Sequence, residues 1–151
     1  LGLCGPGKTP TMPSRTTETA PPTSAVTTAP DFVIALDADE RTADAARYCV
    51  GTIARPAPSA RARAELLTGA LLARTHSRHA RRHRGSCPIE LRVWNRAETA
   101  RIELAGPPGL LATAADDLPA RLLDHLADRW GVEGDDARTR VWFELDGADR
   151  G

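Results

Sequence analysis

At 151 residues the chain has the length of one domain. Its apolar fraction is ordinary for a globular protein but only 4% of residues are aromatic, so the core has to be aliphatic. A formal net charge of zero offers no global field to attract nucleic acid or a membrane surface, and no apolar run approaches the roughly 20 residues of a membrane-spanning helix.

Residues 1–30 are rich in Thr, Pro, Ala and Ser. They hold too few large apolar side chains to offset the entropy of ordering and are expected to be disordered. Gly2 to Thr9 matches the phosphate-loop pattern GxxxxGK[ST]. A working phosphate loop joins a buried strand to a helix. Here no strand precedes it and Pro10 and Pro13 follow, so the match is read as accidental. The only methionine is Met12, which suggests translation from that residue. The N-terminus lacks a basic region followed by an apolar one, so no secretory signal is expected.

The folded part is expected over 31–147. Phe32, Ile34 and Leu36 alternate as in a strand. Asp37 to Thr42 supplies a turn and caps. A first helix follows, with Ala46, Cys49, Val50 and Ile53 on one face, and Pro56 and Pro58 interrupt the chain. A second helix is predicted over about 60–73, burying Leu66, Leu67, Ala70 and Leu71. Next comes a basic connection, Arg74 to Ser86. Ile89, Leu91 and Val93 then mark one strand and Ile102 and Leu104 another, paired as a hairpin through Asn95 to Thr99. Gly106 to Ala115 reads as a loop, broken by Pro107, Pro108 and Gly109.

The last third is the most legible. Leu118, Leu122, Leu123, Leu126 and Trp130 form a helical stripe, with Asp116 and Asp117 as caps, Pro119 in the first turn and Gly131 as a left-handed stop. Glu133 to Asp136 is turn chemistry. Val141, Phe143 and Leu145 then alternate with Arg140, Trp142 and Glu144 as a final strand. The order β-α-α-β-β-α-β implies an α+β fold: a two-layer sandwich, a mixed β-sheet with helices on one face.

Charge is unevenly distributed. Seven Arg and one Glu lie between Arg61 and Arg84, whereas twelve acids and six Arg lie from Glu98 onward. Within the basic segment 74–87, His76, His79, His83 and Cys87 are metal-ligand types, and His79 and His83 are an i,i+4 pair. Five interleaved arginines (74, 78, 81, 82, 84) oppose a divalent cation, so no metal site is expected and the segment is read as a solvated basic extension. No aromatic side chain lies among these arginines, so nucleic acid is not the expected partner. Cys4, Cys49 and Cys87 are odd in number with no CxxC pair, which favours free thiols and a cytoplasmic setting.

Three strings carry a resemblance to a known family. FVIALDADERTADAARYCV, AELLTGALLA (Ala64 to Ala73) and LLDHLADRWG followed by RVWFEL stand in the order of the histidine-kinase-like ATPase (GHKL) domain of bacterial anti-sigma-factor serine/threonine kinases. The resemblance spans about residues 31–146. It implies that fold, ATP and Mg²⁺ as cofactors, and protein partners such as a sigma factor or an anti-sigma antagonist; it leaves a homodimer open. It assigns the role of catalytic base to Glu65. In three other elements of the site this chain departs from the family. Gly69 stands where an Asn would ligate Mg²⁺. Ala105 and Gly106 stand where an Asp would bind adenine. Asp117 and Pro119 stand where a glycine-rich lid would donate N–H groups to phosphate. The expected function is therefore regulation by protein binding with a degraded nucleotide site and no cofactor; the alternative is an active ATP-dependent serine/threonine kinase with a rearranged site.

Overall fold

A computed structural model describes residues 28–73, 75, 87–111 and 117–147. The Gly2–Thr9 string, most of the N-terminal segment, His76, His79, His83 with their arginines, and Asp116 lie outside the described residues. Among the described residues the fold is α+β, with three helices and a five-stranded sheet.

Strand β1 (Phe32–Asp37) lies at one sheet edge, paired antiparallel with β2 (Pro88–Arg96). Between them run two helices, α1 (Thr42–Ile53) and α2 (Pro58–Leu72). The turn into α1 is closed by Thr42, whose hydroxyl donates to the Asp37 carbonyl and accepts from the Asp39 N–H at 2.8 Å. Ala46 and Val50 continue the buried stripe at four-residue spacing. Asn95 of β2 closes the far end of α1. Its amide donates to the Ile53 carbonyl at 3.1 Å and its oxygen accepts from the Arg55 N–H at 2.9 Å.

Pro58 opens α2, where a missing N–H costs no hydrogen bond. The buried residues Ala60, Ala64, Leu67, Thr68, Leu71 and Leu72 hold the 3.6-residue period. Leu66, expected inside, is 50% exposed, because the stripe that meets the sheet is phased on Ala60 and Ala64, which turns Leu66 outward.

Strand β3 (Thr99–Gly106) follows β2 through the two-residue turn Ala97–Glu98, tighter than the Asn95–Thr99 connection expected, and Ala97 has a positive φ of 31°. Of the loop expected over Gly106 to Ala115, Gly106 belongs to β3, residues 107–111 form a loop, and 112–115 lie outside the described residues; the loop is not solvated throughout. Leu110 and Leu111 are buried in the core.

The final third corrects the sequence reading. Helix α3 (Leu118–Leu126) stops one turn early, and Arg129–Gly134 is strand β4, which forms a hairpin with β5 (Thr139–Asp146). Trp130 therefore reaches the core from a strand, with its indole N–H donating to Asp124 at 3.0 Å. Gly131 is not a left-handed helix stop but lies opposite Trp142 in the ladder. The turn shifts to Asp135–Arg138, where Asp135 Oδ1 accepts the N–H groups of Ala137 and Arg138 at 2.7 and 2.9 Å. The end of α3 is held from α2: Arg63 donates to the Leu126 carbonyl at 2.9 Å and stands 3.8 Å from Asp128.

Strand order is β1-β2-β3-β5-β4, and every adjacent pair is antiparallel. The mixed sheet expected from the sequence is thus not formed. The physical reason is the additional strand. β4 runs in the direction of β3, but β5 returns between them, so parallel strands never become neighbours. One sheet face carries Ile89, Leu91, Val93, Ile102, Leu104, Val141, Phe143, Leu145 and Trp130, which join Ala46, Val50, Ala64, Leu67, Leu71 and Leu123 of the helices in a single core. The helices thus gather on that face, as the sequence suggested.

Candidate functional site

Glu65 projects from α2 into a shallow groove against α1, lined also by Asp44, Arg47, Tyr48, Gly51 and Thr52. Its carboxylate lies against Gly51: a β-carbon added there would come within 2.5 Å of Glu65 Oε1. Gly69, one turn further along α2, is buried beneath the stem of Arg47. An added β-carbon would meet Arg47 Cδ at 2.5 Å. Gly69 therefore serves helix packing, letting the α1 arginine cross the α2 backbone; Arg47 continues outward to Asp44 at 3.2 Å.

Gly106 ends β3 and is buried. Its free side is closed by Leu111 Cδ1 at 3.5 Å, Ile89 Cγ1 at 3.7 Å and Leu110 Cδ2 at 3.7 Å, measured from an ideal β-carbon. Asp117 occupies the N-cap position of α3 and Pro119 its first turn. Glu65 and Gly69 are thus brought together on the α1-facing side of α2. Gly106 instead closes onto the loop leucines. Among the described residues no group of three or more His, Cys, Asp or Glu side chains is placed to hold a metal ion. Cys87 is buried, and burial, reinforced by the charge of Asp37, raises its thiol pKa. That favours the protonated thiol over the thiolate that metals and electrophiles require.

Sequence reasoning missed a second arrangement, on the sheet face opposite the helices. Three rows of side chains run across four strands. Trp94, Arg101, Glu144 and Arg129 face one another in one row, Arg92, Glu103, Trp142 and Gly131 in the next, and Glu90, Ala105, Arg140 and Glu133 in the third. Opposite charges are therefore neighbours along and between rows. Glu103 stands 3.2 Å from Arg140, 3.4 Å from Arg101 and 3.8 Å from Arg92, and Glu144 stands 3.3 Å from Arg129 and 3.9 Å from Arg101. The Arg101 guanidinium lies over the Trp142 ring at 4.2 Å and the Trp94 ring at 5.8 Å, within cation–π range. The Trp142 indole extends over Gly131, where an added β-carbon would meet three ring atoms at 2.9 Å. The signal was present in the strings RVWNR, ARIEL and RVWFEL, where tryptophan and paired charges share the register opposite the aliphatic one.

No described helix is long and apolar enough to cross a membrane. The chain matches no protein-family model and no curated protein.

Proposed function

We propose that this chain is a regulatory protein that acts by binding another protein. Its scaffold is related by resemblance to the ATP-binding anti-sigma-factor serine kinases, and its nucleotide-holding positions are given over to packing. One observation carries this reading. At Gly69 and Gly106, where the family would present a metal ligand and lead from an adenine-binding Asp, the backbone is covered by Arg47 in one case and by Leu110 and Leu111 in the other. Neither position offers a side-chain oxygen or nitrogen to a nucleotide. Each missing polar contact would contribute on the order of 1–3 kcal/mol, so losing several removes affinity by orders of magnitude.

The partner class comes from the same resemblance: a sigma factor or its anti-sigma antagonist. The exposed Tyr48, beside the Glu65 groove, offers an aromatic anchor of the kind that dominates protein interfaces. Calorimetric titration with Mg-ATP tests the nucleotide half of the proposal. The expected result is no saturation below about 1 mM. Micromolar binding that disappears in Glu65→Ala would overturn it and favour the active kinase. Size-exclusion chromatography with purified sigma factors and antagonists from the same genome tests the partner half, with loss of co-elution in Tyr48→Ala as the expected control.

A further inference from the structure

The sheet of the described residues has β1 and β4 as its edge strands, and the two are built differently. Sheet edges are ordinarily blunted by charges, prolines, bulges or shortness, because a bare row of N–H and C=O groups recruits another strand. β4 follows that pattern, with Arg129 and Glu133 on it and glycine at 131 and 134. β1 does not. Its sequence FVIALD carries no charge before Asp37 and neither Pro nor Gly, and its register with β2 is unbroken from Phe32 to Asp37. Two of its large apolar side chains are exposed, Val33 by 54% and Phe32 by 39%.

The phase of the ladder decides which backbone groups face out. The Ala38 N–H donates to the Cys87 carbonyl at 3.1 Å. Alternation along an antiparallel pair then turns the N–H and C=O of Leu36, Ile34 and Phe32 toward β2, and those of Val33 and Ala35 away from it. Among the described residues nothing pairs with Val33 or Ala35 on that outer side. Phe32, Ile34 and Leu36 stand in register with Val93, Leu91 and Ile89, so their side chains share the face that meets the helices.

We infer that β1 is a dimerisation edge: a second copy of this chain adds its own β1, antiparallel, across a two-fold axis at Ile34. The edge is complementary to itself in that register. Val33 stands opposite Ala35 of the other copy, and each such pair exchanges two N–H···O=C bonds, so every outward group of these residues is satisfied. On the helix-side face Ile34 meets its own counterpart and Phe32 meets Leu36, which extends the apolar face of one sheet into the other and covers the exposed ring. A formal net charge of zero sets up no global repulsion between copies. The one unfavourable contact is at the ends, where Asp31 comes opposite Asp37, so salt should tighten the pairing by screening. A strand of six residues buries less than the roughly 1,200–2,000 Å² of a standard interface, which points to a dissociation constant of about 10–100 µM. The inference rests on the sheet alone and is independent of the nucleotide and partner readings.

Sedimentation velocity on the full chain, with amide hydrogen exchange by NMR on the same samples, tests it. The expected result is a reversible monomer–dimer equilibrium in which the Val33 and Ala35 amides exchange about threefold more slowly at about 1 mM than at about 50 µM. Ala35→Pro removes an outward N–H without touching the ladder to β2 and should weaken the dimer at least about tenfold. The Trp130 indole, held by Asp124, reports that each sample is folded. Should Ala35→Pro fail to fold, oxidation of Ile34→Cys decides: the introduced thiols lie together at the axis and should join two chains, as peptide mass mapping would show. A chain that stays monomeric at about 1 mM overturns the inference. So does a dimer in which the Val33 and Ala35 amides exchange at concentration-independent rates, because its interface then lies elsewhere or the edge is covered within one chain. A dimer that loosens with salt is held by ion pairs and overturns it too.

Discussion

Glu103 and Arg101 are neighbours in one buried network, but their removal should have unequal effects. Glu103 is the shared anion of three guanidiniums, at 3.2, 3.4 and 3.8 Å. Arg101 serves two carboxylates, at 3.4 and 3.9 Å, and stacks on two indoles. Each ion contact represents on the order of 4–5 kcal/mol of gross attraction at an effective dielectric near 20. Most of this is offset by the desolvation of both charges. The net effect of a substitution therefore depends on what is left unbalanced. Glu103→Gln leaves Arg92, Arg101 and Arg140 to repel one another with their common partner gone, and should cost about 3–5 kcal/mol. Arg101→Met keeps the apolar contact with the indoles and leaves Glu103 with two cations. It should cost about 2–3 kcal/mol, of which roughly 1–2 is lost cation–π attraction. Urea unfolding followed by far-UV circular dichroism, with m-values checked for constancy, gives both numbers. The reasoning fails if Glu103→Gln costs less than about 1 kcal/mol, or if Arg101→Met is the more damaging change.

Gly131→Ala should destabilise the sheet by about 1–3 kcal/mol, because the new methyl group meets the Trp142 ring at 2.9 Å and lifts it from its seat. Trp142→Leu in the same chain should relieve most of that loss, and strict additivity of the two changes in urea melts would contradict the contact. Ala97→Gly should be neutral or stabilising by up to about 1 kcal/mol, since φ of 31° suits glycine better than alanine; a lower Tm would refute the assigned turn geometry. Asp135 has its carboxyl pKa held below its ordinary value, chiefly by the Ala137 N–H and next by that of Arg138. A depressed folded-state pKa stabilises above the unfolded value of about 3.9, and the contribution is lost as pH falls through the folded value. Between pH 5 and 2.5 the native chain should therefore lose Tm more steeply than Asp135→Asn; parallel curves would show that the turn carboxylate is not linked to folding.

The sequence by itself determined the elements whose signals are local. The alternation at Ile89, Leu91 and Val93, and at Val141, Phe143 and Leu145, needs only one covered face to specify a strand and its orientation. Pro58 and the aliphatic period after it likewise announce α2. The order of elements as far as α3, and with it the α+β class and the one-sided layer of the described helices, followed from these runs. What only the tertiary structure decided was the role of residues that obey two patterns at once. Trp130 continues the helical stripe of Leu122, Leu123 and Leu126, but it also shares a strand face with Val132, with Gly131 on the opposite face between them. Pairing with β5 made Arg129–Gly134 a strand, and that strand made the sheet fully antiparallel. The candidate site divides in the same way. The absence of ligating atoms at Gly69 and Gly106 was legible in the residues themselves. That Arg47, Leu110 and Leu111 cover those glycines depends on how distant segments meet. The burial of Trp94 and Trp142 lay furthest from local reading. Each looks outward from its own strand, and only the four-strand register brings them to Arg101 and to the chain arriving at Thr28.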